Sequence, residues 1–192
     1  MTFIDMGVFP RGPLVSGRAY DRINHFFGLL GQVGGADRIE TQDAPTSSTR
    51  SPLEERLRFV QDTISEVSMH LPSGFAAGLN KQFANLMDED AWEDNDELIN
   101  PEALTAFFML LICSGTGRRP GIGTNGRGSI TASWTAAGNR LTVECLPSGR
   151  VSLVLSRQQG DGEVERAAFG HIKPQRVREV LAPFEPEVWL DG

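Results

Sequence analysis

Apolar side chains recur at steps of four and three residues through Leu53, Leu57, Val60, Ile64, Val67 and Leu71. This spacing predicts a helix with one sealed face. The stripe is too short for a free-standing coiled coil, so a packed bundle helix is expected. Ser51-Pro52-Leu53-Glu54 reads as a capping box with proline at the first helical position, and Pro72 stops the helix. Ser73 can cap a second helix carrying Phe75, Leu79, Phe83 and Leu86 on one face. Asn100-Pro101-Glu102 opens a third. There Leu104, Phe107, Phe108, Leu110, Leu111 and Ile112 leave almost no polar side, which predicts the most buried helix of the protein.

The helical period stops at Ser114. SGTGRRPGIGTNGRG, residues 114–128, reads as a glycine-rich loop, and beyond it the period becomes two. Ile130, Ala132 and Trp134 alternate with polar neighbours. So do Leu141, Val143 and Cys145, and then Val151, Leu153 and Leu155. Turn residues separate the runs: Ala137-Gly138-Asn139, Pro147-Ser148-Gly149 and Gly160-Asp161-Gly162. A fourth strand near residues 163–169 completes an antiparallel meander, and the clean alternation predicts one polar face. Pro174 starts a last helix with Val177, Val180, Leu181 and Phe184 inward; Pro183 and Pro186 break it, leaving Trp189 in a tail. The predicted class is α+β: helices on one face of a four-stranded antiparallel meander, closed by a C-terminal helix. Residues 51–184 form this domain, with helices over 51–113, the sheet over 129–170 and a helix over 174–184. Residues 185–192 are the tail. The expected core includes Leu57, Val60, Ile64, Phe107, Leu111, Trp134, Val143 and Leu153.

Ahead of this domain, Tyr20, Ile23, Phe26, Phe27 and Leu30 fall at helical spacing within residues 19–30. Residues 31–50 have no period and read as a flexible linker, so residues 1–50 form an N-terminal segment. A tethered aromatic helix can dock in a groove of a partner, of another copy or of its own domain. Each large side chain it buries is worth about 1.5–3 kcal/mol, so several anchors could support micromolar binding. These five residues are the candidate partner-binding set.

Composition narrows the functional classes. The chain has 192 residues, 40% of them hydrophobic, and a net charge of −7. That charge argues against a dedicated nucleic-acid binder, whose affinity comes from neutralising phosphates. Residues 51–100 carry 3 basic and 11 acidic side chains, whereas residues 101–150 carry 5 basic and 2 acidic. Only Lys81 and Lys173 of the 18 basic residues are lysines. No apolar run approaches the ~18–20 residues of a membrane span. The first residues do not read as a secretory signal, and two cysteines do not make a disulfide framework. A cytoplasmic protein with reduced thiols is expected.

The chemical motifs fail on their context. GIGTNG, residues 121–126, matches G-x-G-x-x-G, but a helix precedes it and a strand follows, the reverse of a dinucleotide site. A P-loop needs Lys-Ser/Thr where Arg127-Gly128 stands. Arg118, Arg119 and Arg127 still make the loop basic, a candidate anion-binding set. They could equally pair with the acidic loop at residues 88–97. That loop has Trp92, Glu93 and Ile99 where an EF-hand counted from Asp88 needs Asp, Gly and Glu. His25, His70 and His171 are far apart, Cys113 and Cys145 read as core residues, and no G-x-S-x-G elbow is present. No catalytic residue, metal ligand or cofactor is assigned.

From Asn100 to Leu155 the chain resembles a loosely defined set of small bacterial proteins of uncharacterised function. The resemblance rests on Trp92, Pro101-Glu102-Ala103-Leu104, Arg119-Pro120, Gly128 to Trp134 (G-x-I-x-x-x-W) and Leu141 to Val151 (L-x-V-x-x-x-P-x-G-x-V). It implies a fold more than an activity, and a setting among accessory genes of mobile-element, defence or toxin–antitoxin loci. The expected function is a non-enzymatic protein-binding or regulatory module, antitoxin-like, with another protein or a second copy as partner. One competing class is a nucleic-acid binder with Arg118, Arg119, Arg127, Arg140 and Arg150 on one continuous face. The other is a small enzyme that gathers His171, a carboxylate and an arginine from residues 118–127.

Overall fold

The structure, a computed structural model, describes residues 51–93, 95–159 and 163–191. Tyr20, Ile23, Phe26, Phe27 and Leu30 lie outside the described residues. Helix α1 spans Pro52–Val67. Its capping box is closed at both ends: the Glu54 amide donates to Ser51 Oγ at 3.2 Å, and the Ser51 amide donates to Glu54 Oε2 at 3.3 Å. Ser51→Ala should therefore lower stability by about 1 kcal/mol in a urea titration; an unchanged midpoint would show that the first turn frays regardless. Val60, Ile64 and Val67 are buried, whereas Leu57 is half-buried, short of its expected place in the core.

Helix α2, Phe75–Leu86, buries Phe75, Leu79 and Phe83. Its N-cap is Gly74 at φ 80°, not Ser73, and no side chain caps it. The turn after Pro72 needs a left-handed residue, and only glycine adopts that without cost. Helix α3, Pro101–Ser114, is capped by Asn100, whose Oδ1 accepts from the Glu102 amide at 2.8 Å. It is buried on nearly every side, from Ala103 to Leu111. Phe83, Phe107 and Phe108 form an aromatic cluster with ring centroids 5.3–6.4 Å apart.

The sheet has five antiparallel strands, one more than the sequence pattern predicts. They are β1 Gly121–Thr124, β2 Ile130–Ala136, β3 Asn139–Cys145, β4 Val151–Gln158 and β5 Val164–Ile172, ordered β1-β2-β3-β4-β5. The extra strand lies inside the predicted glycine loop. Gly121 and Gly123 alternate with Ile122 and Thr124, and all four pair with β2. Glycine weakens strand propensity but does not forbid pairing, and the ladder to β2 outweighs it. Ile130, Ala132, Trp134, Leu141, Val143, Cys145, Val151, Leu153 and Leu155 are buried on the inner face, where α3 packs against β2 and β3.

The expected last helix is divided. Helix α4 covers only Val177–Leu181, between 3-10 turns at Pro174–Arg176 and Ala182–Phe184. Beyond it, Glu187–Leu190 forms α5 rather than a loose tail, and Trp189 and Leu190 are buried. The Leu190 carbonyl accepts from the Gly117 amide at 2.7 Å, the Arg118 amide at 3.0 Å and Thr116 Oγ1 at 2.9 Å. The Trp134 indole donates to the Arg118 carbonyl at 2.8 Å, so α5 holds the loop that roofs the central tryptophan.

Candidate functional site

Strand alternation and register define the outer sheet face. Gly121, Ser133, Thr142, Val154 and Ala168 stand in register across all five strands. On one side of that row lie Thr131, Glu144 and Ser152; on the other lie Arg140, Ser156 and Arg166. The face is therefore made mostly of small and hydroxyl side chains. Ser133 Oγ and Thr142 Oγ1 are 3.4 Å apart, and Asn125 Nδ2 donates to Glu144 Oε1 at 2.9 Å. Val154 and Val164 are 57% and 52% exposed, high values for valines on a sheet.

The two sheet edges differ. At the β1 edge α2 packs alongside, and Gln82 Nε2 donates to the Pro120 carbonyl at 2.9 Å. At the β5 edge the pairing pattern identifies the outward-facing groups. The Leu146 amide donates to the Arg150 carbonyl, and the Gln159 amide to the Glu163 carbonyl. Bonded pairs alternate along antiparallel ladders, so β4 bonds β3 through its even-numbered residues and β5 through its odd-numbered ones. On β5 it is then Glu165, Ala167 and Phe169 that bond β4. The amide and carbonyl groups of Val164, Arg166 and Ala168 face away from the sheet. Among the described residues nothing pairs with them, and β5 is the last strand of the sheet. It is 9 residues long, and a bulge near Gly170 and His171 ends its regular part; His171 takes φ 55° there.

The candidate anion residues are spread out. Arg118 and Arg119 precede β1, and Arg127 lies past its far end. Four strand residues separate the two groups, which is about 13 Å. Arg118 bonds Leu190 through its amide and Trp134 through its carbonyl. Arg119 lies so close over Gly78 that a Cβ there would collide with its guanidinium. The glycine loop and the acidic loop do meet, through the main chain: the Glu97 amide donates to the Gly126 carbonyl and the Asn100 amide to the Gly128 carbonyl, each at 2.9 Å. Glu97 also bridges Arg127 in a parallel pair.

The clusters that the competing classes require are not assembled. His171 is on β5 and Arg118 to Arg127 flank β1, four strand spacings apart, or about 19 Å. Arg140 is on β3 and Arg150 just precedes β4, with acidic Glu144 of β3 between them in sequence. Among the described residues no group of three or more His, Cys, Asp or Glu side chains is placed to hold a metal ion. No helix among them is long and apolar enough to cross a membrane. An open hollow of about 440 Å³ is lined by Asn139, Arg157, Gln158, Gln159, Glu185 and Val188. Its Arg157 is already paired with Glu185 at 2.9 Å and Glu165 at 3.4 Å and donates to the Phe184 carbonyl at 3.2 Å.

Burial, reinforced by Glu144, pushes the Cys145 thiol well above its ordinary pKa, and burial raises that of Cys113. Neither is primed as a nucleophile, because the thiolate is the reactive form. At about pH 8 a thiol reagent should label half-buried Cys113 slowly and Cys145 only after denaturation. Rapid labelling of both thiols in the folded protein would contradict this environment.

Comparison with known proteins finds no matching family model, no similar curated protein and no similar solved structure.

Proposed function

We propose that this chain is a protein-binding module, without chemistry of its own, that engages its partner by main-chain pairing along β5. The observation that carries this reading is the outward row of Val164, Arg166 and Ala168, with which no described residue pairs. Proteins usually cover, shorten or charge such an edge, because it is a template for another strand. Here α2 packs beside the opposite edge, while β5 is 9 residues long and begins with exposed Val164. Added strands draw affinity from main-chain bonds and selectivity from side chains beside the edge. Val154, Ala168 and Arg166 would supply that selectivity on the outer face. On the resemblance to small bacterial proteins, the setting would be an accessory or antitoxin-like component of a mobile-element or defence locus.

Ala168→Pro tests the mode of binding. The Ala168 amide faces outward, so proline there removes no bond to β4, and proline is tolerated on edge strands. Affinity capture from the native cell should lose partners on this substitution while circular dichroism stays native. Undiminished capture by the folded variant would refute edge recognition.

A further inference from the structure

We infer that Asn125 is a site of spontaneous deamidation, and that its conversion to aspartate or isoaspartate releases the acidic loop from the sheet. Asn125-Gly126 is the one Asn-Gly pair in the chain. In such a pair the asparagine side chain can close on the next backbone nitrogen, because glycine puts no Cβ in the way. Asn125 is exposed, in the turn that joins β1 to β2. Its Oδ1 accepts from the Arg127 amide at 2.9 Å, which folds the side chain back over the peptide bond to Gly126. The reaction needs only water. The Gly126 nitrogen gives up its proton, and with it a long bond to Thr124 Oγ1 at 3.2 Å, and attacks Cγ of Asn125. The Arg127 amide already donates to the oxygen that takes up negative charge in the adduct. A C–N bond forms, the Cγ–Nδ2 bond breaks, and ammonia leaves carrying the amide proton. Water then opens the cyclic imide at either carbonyl, which gives aspartate or isoaspartate. Water is consumed and ammonia released in equal amounts, and nothing is oxidised or reduced.

The consequence follows from what surrounds the turn. Asn125 Nδ2 donates to Glu144 Oε1 at 2.9 Å. A carboxylate in its place has no proton to donate and sets two negative charges in contact. The carbonyls of Gly126 and Gly128 hold the acidic loop through the amides of Glu97 and Asn100, each at 2.9 Å. Asp96 lies so close to Gly126 that a Cβ there would collide with its carboxylate. This contact, with a φ of 68°, ties position 126 to glycine and so keeps the labile pair in place. The new charge is therefore added among Asp96, Glu97 and Glu144. Isoaspartate also lengthens the main chain by a methylene ahead of Gly126, which shifts both carbonyls away from the amides they accept from.

The test uses the full chain, aged in mildly alkaline buffer at physiological temperature. Peptide mapping should show the tryptic peptide of residues 119–127 losing its side-chain amide within days, while the peptides holding Asn85 and Asn139 stay unchanged. Hydrogen exchange at the Glu97 and Asn100 amides should become at least about tenfold faster in the aged protein and in fresh Asn125→Asp. Glu144→Gln should restore slow exchange in Asn125→Asp, because it removes one of the two facing charges. Asn125→Gln should not change on ageing, since closing the larger ring is far slower. Circular dichroism checks the fold of each variant. If Asn125 keeps its amide in the folded protein while the isolated peptide loses it, the turn protects the residue and the inference falls. If the amide is lost but exchange at Glu97 and Asn100 stays as slow as before, nothing is released and the inference falls as well.

Discussion

Phe107→Ala should destabilise the domain by about 3–5 kcal/mol, the largest effect expected of any single truncation in the helical layer. Phe107 is fully buried on the helix with the least solvent contact. Its ring packs edge-on to Phe83 at 5.8 Å and to Phe108 at 5.3 Å. Removing it opens a cavity that two helices cannot both close on, because α3 is pinned by Asn100 at its start and by left-handed Gly115 at its end. Typical domains have only about 5–15 kcal/mol in total, so the variant should be partly unfolded near 37 °C. Equilibrium urea unfolding measures it. A loss under about 1 kcal/mol would mean that the helical layer is not packed around this cluster.

Trp189→Ala should cost a similar amount, about 3–5 kcal/mol. A tryptophan in a solvated tail would cost less than about 0.5 kcal/mol, so this variant separates the two placements sharply. The indole is fully buried, and the adjacent Leu190 carbonyl receives three donors from residues 116–118. Loss of the anchor should therefore also release the Gly117 and Arg118 amides, which hydrogen exchange reads residue by residue. Thermal denaturation gives the stability. Preserved protection of those two amides in the variant would show that α5 does not hold the loop.

Most of the fold is written in local periodicity. Helices α1 and α2 and strands β2 to β4 show it because each buries one continuous face, α3 because it is apolar and buried nearly all round, and β5 because half-buried residues alternate with exposed ones. What local pattern could not show has particular causes. Strand β1 hides because half its residues are glycine, and its pairing is decided by β2. Trp189 looks peripheral in the sequence because α5 is only 4 residues long, too short to display a period, and its helix packs on β2 and β3, more than forty residues back in the chain. Gly74 caps α2 where Ser73 was expected, since the chain reversal there requires positive φ. Leu57 fits the stripe of α1 but sits where that helix is less fully covered.

The candidate site divides the same way. A polar outer face was readable from clean alternation, and a meander implies that its last strand lies at an edge. That α2 packs beside β1 is a tertiary outcome with no local signature. The arginines of the glycine loop read as one group because they are close in sequence, yet β1 runs between them and holds Arg119 and Arg127 apart.

The bonds between residues 116–118 and Leu190 also bear on how the chain is made. Thr116 and Leu190 are separated by 74 residues, and closing a loop of that length costs roughly 4 kcal/mol of chain entropy beyond a constant. The hairpins of the sheet close over far shorter spans, so they form first and this tie forms last. At about 5–20 residues per second, a ribosome needs roughly 4–15 seconds to travel from Thr116 to Leu190. Throughout that interval the loop over Trp134 has no α5 to hold it. Nascent chains stalled or cut short before residue 190 should therefore be the species that chaperones hold and that aggregates collect.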